Sequence, residues 1–222
     1  MYKYNDIRVV HLEITQKCNA SCPMCDRNEN GGAINQHIRN NLAELSLEDC
    51  KTIFETDFIK QLNTMYMCGN LGDPISALDT LEVFRYFREH NPNMWLSMNT
   101  NAGARSADWW RELAGVIGRK GAVIFSVDGL ENTNHLYRQG VHWDIVERNM
   151  RAFIDAGGRA RWDYLIFEHS EVDVDRAEEL AKEWGVEKFI RKKTGRFITT
   201  ESKAKDTHQA QNRKGKETTT LA

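Results

Sequence analysis

The feature that most constrains this chain is a regular alternation of two hydrophobic periods. Short apolar runs of strand type recur at 7–14 (IRVVHLEI), 64–68 (TMYMC), 94–99 (MWLSMN), 122–127 (AVIFSV), 160–167 (ARWDYLIF) and 187–193 (EKFIRKK). Between them lie segments with helical spacing: 46–62, 75–91, 106–118, 143–158 and 173–185. Ser46 with Asp49 three residues on predicts a capped helix start, and Ser106 with Gly118 brackets another helix. Leu78, Leu81, Phe84 and Phe87 supply the apolar spacing of the second helix. Six strands alternating with five helices predict an α/β fold with parallel strands covered by helices. Periodicity alone admits a doubly wound sheet or a barrel. A full eight-fold barrel takes about 250 residues, and six units here use nearly all of the 222. The expectation is a partial (β/α)6 TIM-like barrel with its helices outside. Function then belongs at the C-terminal ends of the strands.

The loop after the first strand, EITQKCNASCPMCDRN, carries Cys18, Cys22 and Cys25 in C-x3-C-x2-C spacing. The chain has five cysteines, an odd number with three clustered, which does not suit a disulfide framework. Clustered thiols in a reducing compartment bind metal. A structural zinc site wants four closed ligands. Cys68, ending the second strand, is the residue that would close one. Iron–sulfur clusters also usually take four thiolates. Three would leave one iron of a [4Fe–4S] cluster with an open position, where a cosubstrate can bind.

The cysteine loop, CNASCPMC after the first strand of a βα repeat, resembles the signature of the radical S-adenosylmethionine (SAM) enzymes. The resemblance implies one [4Fe–4S] cluster on Cys18, Cys22 and Cys25. It also implies SAM as the second cofactor, cleaved by one electron to methionine and a 5′-deoxyadenosyl radical that abstracts hydrogen from substrate. Met24 stands where the family usually has an aromatic residue and is expected to pack on adenine through its polarizable sulfur. Later strand ends match too. In GNLGDP, residues 69–74, Gly72, Asp73 and Pro74 resemble the family's GEP, which contacts the SAM amine. Leu71 replaces a glycine there, and aspartate is one methylene shorter than glutamate. MNTNAG resembles a TNG variant near the SAM ribose and methionine, which points to Asn99. FSVDGLENTNHLYRQG resembles the SIDG…R pattern of the peptide- and protein-modifying branch, which includes sulfatase-maturating enzymes. There Ser126 would reach the SAM ribose or carboxylate, Asp128 would lie near the active site, and Arg138 would pair with the SAM carboxylate. The resemblance covers roughly residues 7 to 197. It departs from that branch in having no cysteine-rich extension after Cys68.

A peptide or protein substrate follows from the SVDG…R resemblance and from the lateral mouth of an open barrel. A nucleotide or small metabolite is the alternative substrate. The alternative without catalysis is a partner protein holding a cluster or zinc. The enzyme reading needs an external electron donor such as flavodoxin or ferredoxin, and a substrate or partner subunit to close the barrel. His169, after the fifth strand, is a candidate donor or acid–base group. Of the adjacent Trp109 and Trp110, one is expected in the core. The net charge of −2 gives no global nucleic-acid signal, though the basic run from Arg191 to Arg196 leaves nucleic acid open as a partner. No run of eighteen apolar residues predicts a membrane helix, and MYKYNDIRVV lacks the apolar core of a signal peptide. A cytoplasmic setting is expected. The domain reading is a core over 1–197 and a polar, disordered tail over 198–222.

Overall fold

A computed structural model of the chain describes residues 3–29, 32–39 and 42–193. The polar tail expected from residue 198 lies outside the described residues. Six strands form one sheet: β1 (Val9–Leu12), β2 (Thr64–Met67), β3 (Trp95–Thr100), β4 (Gly121–Ser126), β5 (Ala160–Leu165) and β6 (Lys188–Lys192). Every neighbouring pair is parallel, and the spatial order is the sequence order, β1 through β6. This order separates the two architectures that periodicity admits. A doubly wound sheet reverses its strand order at a switch point. An unreversed order with right-handed crossovers puts all helices on one face, and the sheet curls away from them. The result is the partial barrel, with β1 and β6 as its edges.

The helices are α1 (Gln36–Arg39), α2 (Leu47–Ile53), α3 (Thr56–Gln61), α4 (Thr80–His90), α5 (Ala107–Ile117), α6 (Asn134–Tyr137), α7 (Trp143–Asp155) and α8 (Val174–Glu183). Strand alternation sorts residues between two faces. On β4, Val123 and Phe125 are fully buried on the helix side, whereas Ala122, Ile124 and Ser126 line cavities inside the barrel. The core therefore sits between sheet and helices. Trp110, Phe125 and Phe153 join α5, β4 and α7, with ring centroids 5.7–6.4 Å apart. Trp162 of β5 stacks on Trp184 and meets Phe189 of β6 edge-on. Each such side chain, fully buried, contributes about 1.5–3 kcal/mol. Trp110 is the core member of the tryptophan pair, and Trp109 is half-buried beneath Arg105.

Two predicted helices are broken, each for a visible reason. The helix expected over 46–62 starts as predicted, with Ser46 and Asp49 forming a reciprocal cap. It stops at Phe54, whose carbonyl accepts from the Tyr86 hydroxyl at 2.9 Å, and resumes as α3. The helix expected from residue 75 begins only at Thr80. Before it, the Arg105 guanidinium takes the carbonyls of Ile75 and Ala77 that a helix would use, and Asp73 caps a short 3-10 turn over Pro74–Ser76. Leu78, read as part of the apolar face, is consequently exposed. Among the described residues no helix is long and apolar enough to cross a membrane.

Candidate active site

The C-terminal ends of the strands surround a cavity of about 550 Å³. Cys18, Cys22 and Cys25 enter it from the loop after β1, Gly72 and Asp73 from the turn after β2, and Asn99 from β3. Ser126 and Asp128 come from the end of β4, and Arg138 follows α6. All the sequence-predicted cluster and cofactor residues except Met24 thus meet in one place. Met24 packs against the hydrophobic core and is not among the cavity's lining residues.

The cysteine loop is held by backbone capture. The buried Arg27 donates Nε to Gln16 O at 3.0 Å, and Ser21 N–H donates to Gln139 O at 2.9 Å. Asp73 N–H donates to Lys17 O at 2.9 Å, which ties the turn after β2 beneath the loop. Gly72 is needed for that approach. A Cβ there would stand 2.8 Å from Lys17 O and closer still to Thr15 O.

All five cysteines are free thiols. Burial, followed by the charge of Asp73, pushes Cys18 up to about 12, and burial also raises Cys22. Without metal both are neutral, and a metal must displace their protons on binding. Two thiols receive N–H donors. Cys18 Sγ accepts from Ala20 N–H at 3.4 Å and from Asn101 Nδ2 at 3.8 Å. Cys22 Sγ faces Arg138 Nη1 at 3.9 Å. Among the described residues no three His, Cys, Asp or Glu side chains are placed to hold one metal ion. Cys18, Cys22 and Cys25 are free and line one cavity, a soft donor set whose chemistry fits a thiolate-bound iron–sulfur group.

The carboxylates are clamps. Asp73, fully buried, accepts from Ile75 N–H at 3.1 Å and Asn101 N–H at 2.8 Å, joining the β2 and β3 ends. Burial pushes its carboxyl up, and these hydrogen bonds pull the other way. Asp128 accepts from Leu165 N–H at 2.8 Å and pairs with Arg138 at 2.7 Å. Burial opposes the Arg138 charge, but Asp128 outweighs it and holds the guanidinium protonated.

The cavity holds residues that sequence reasoning did not assign to the site. Asp163 on β5 is bound bidentately by Arg161 and paired with Lys192 of β6. Asn101 anchors the loop through Asn19 and Cys18. The signal for Asn101 was present in NTN, but turn chemistry explains such asparagines equally well. Cys68, the residue that would close the alternative zinc site, lines the same cavity. Two other expectations move elsewhere. His169 stacks on Phe167 outside the cavity lining. Arg191, the first of the basic run, is paired with Asp175 and Glu178 of α8.

A family model of the radical SAM superfamily matches residues 12–183, which is most of the chain. The chain belongs to the radical SAM superfamily, a superfamily of enzymes. Comparison with curated proteins finds no match. Among solved structures, Streptococcus suis SuiB bound to precursor peptide SuiA superposes with a TM-score of 0.64 at 14% identity, covering 83% of this chain and 39% of SuiB. The protein anSMEcpe with bound AdoMet superposes with a TM-score of 0.62 at 17% identity, over 83% of this chain and 49% of that one. The radical SAM methyltransferase TsrM from Kitasatospora setae, bound to tryptophan and a SAM analog, gives 0.56 at 9% identity, over 85% of this chain and 36% of TsrM. These similarities show the shared partial barrel. The chain spans less than half the length of each of these neighbours.

Proposed function

We propose that this chain is a radical SAM enzyme core that holds one [4Fe–4S] cluster on Cys18, Cys22 and Cys25 and binds SAM in the cavity beside it. The observation that carries the reading is the meeting of three free thiols with the ends of β2, β3 and β4 around one cavity. When bound, the cluster and SAM together supply one-electron cleavage to methionine and a 5′-deoxyadenosyl radical. The protein's part is positioning. Gly72 and Asp73 set the turn facing the SAM amine, Asn99 and Ser126 offer polar contacts to ribose and carboxylate, and Asp128 fixes Arg138. The open edge of the sheet leaves one side of the site to be closed by the substrate or a partner subunit.

A peptide or protein is the proposed substrate. SuiB is seen with its precursor peptide and anSMEcpe with a Cp18Cys peptide, and both share this fold. TsrM, seen with tryptophan, favours a small metabolite as the second reading. Reduction falls to an external donor such as flavodoxin or ferredoxin in a reducing cytoplasm, which also keeps five thiols free.

Anaerobic reconstitution tests the chemistry. Brown protein, reduced with dithionite and given SAM, should release methionine and 5′-deoxyadenosine in equal amounts. Colourless protein with one tight zinc and no SAM cleavage would overturn the proposal.

A further inference from the structure

Arg138 leaves the C-terminal end of α6 and turns its guanidinium toward two groups at once. Nε and Nη2 each lie 2.7 Å from Asp128 Oδ2, and Nη1 faces Cys22 Sγ at 3.9 Å. Asp128 is itself immobilised. Its Oδ1 accepts from Leu165 N–H at 2.8 Å, and its own N–H donates to Asn134 Oδ1 at 3.1 Å. Carboxylate, guanidinium and sulfur therefore stand in a row, and the guanidinium cannot rotate away without breaking a buried ion pair. The donors facing Cys18 and Cys22 differ. Cys18 receives neutral amides, from Ala20 and Asn101, whereas Cys22 receives a cation.

We infer that Arg138, oriented by Asp128, is a positioning residue that sets the reduction potential of the cluster through Cys22. The inference rests on the cluster reading proposed above. The reduced cluster is the more negative state, and hydrogen bonds or positive charge at a ligand sulfur stabilise it. Arg138 therefore raises the potential, easing electron entry from an external donor. Asp128 acts in the opposite direction, since it neutralises part of the guanidinium charge. The two residues form one ion pair, yet their removal shifts the potential with opposite signs. Residues that merely packed the loop would show no such reversal.

The test is a redox titration of the full chain, reconstituted anaerobically and followed by electron paramagnetic resonance. SAM is omitted, so that contacts to its carboxylate play no part. At the wild-type midpoint, Arg138→Gln should show about a tenfold lower ratio of reduced to oxidised cluster, a downward shift of about 59 mV for one electron. Asp128→Asn should raise that ratio. Arg138→Lys keeps the charge without the fork, and its midpoint should fall between wild type and Arg138→Gln. Should the glutamine or asparagine variant fail to take up iron, the lysine variant alone decides, with a midpoint below wild type expected. Variants with full iron content and the wild-type midpoint, or shifts of the same sign in Arg138→Gln and Asp128→Asn, would overturn the inference and leave the cluster reading intact. A wild-type chain that assembles no four-iron centre would remove both.

Discussion

Replacing Cys22 by alanine yields a protein that folds but retains no four-iron centre and forms 5′-deoxyadenosine only at the level of protein-free controls. The substitution removes one buried sulfur from the edge of the core, which costs the fold about 1 kcal/mol. The loss of function is far larger than the loss of stability, because three thiols are the entire cysteine set of the loop. With two remaining, a cluster that already has one iron free of protein ligands would have a second exposed to solvent and oxidation. The same result is expected for Cys18→Ala and Cys25→Ala. Cys68→Ala is the control, since Cys68 lines the cavity from β2 and lies outside the loop. It should keep its iron and cleave SAM. Iron and sulfide analysis with product assay by chromatography checks all four variants. Loss of metal from Cys68→Ala together with Cys22→Ala would restore a four-thiol site and the zinc alternative.

The second large effect is expected at Gly72. Its Cα points at backbone oxygens of Thr15 and Lys17, so an added methyl group meets atoms that no rotamer change can move. Either the turn after β2 or the cysteine loop must shift, and the 2.9 Å bond from Asp73 N–H to Lys17 O is lost with it. Overpacking of this kind costs about 1–3 kcal/mol. Each kcal/mol lowers Tm by about 2–4 °C in a chain of this length, so Gly72→Ala should melt about 2–12 °C lower and bind iron weakly. Gly115→Ala is the comparison. That glycine lies in α5 with nothing within 4 Å of its added carbon. It should stabilise slightly, by about 0.5–1 kcal/mol. Thermal unfolding of the two variants beside wild type checks the contrast.

The sequence makes the barrel legible because each strand announces itself by a short apolar run and the long helices by an apolar stripe, with a serine cap marking the start of two helices. Ser46 and Ser106 both cap as read. What the sequence does not carry is competition for backbone groups by distant side chains. Tyr86 ends α2, and Arg105 keeps residues 75–77 out of α4, from more than 25 positions away. The same holds in the site. Cysteine spacing and strand-end motifs bring nine of the ten predicted cluster and cofactor residues to one cavity. Their roles are less visible. Asp73 and Asp128 read as cofactor contacts, but their oxygens are engaged by Asn101, Ile75, Leu165 and Arg138. Arg138 reads as a partner for the SAM carboxylate, and its guanidinium lies between Asp128 and Cys22. Asp163 and Lys192 escape notice because an interior ion pair between β5 and β6 depends on strand register, which no local motif reports.

The central claim is that the loop thiols carry a cluster with a position left free for SAM. Electron paramagnetic resonance of the dithionite-reduced, reconstituted protein, recorded before and after SAM is added, addresses it directly. The account predicts a spin-half signal from a reduced four-iron centre whose g-values change when SAM binds. A reduced protein with no such signal, or with a signal that SAM leaves unchanged, would contradict it.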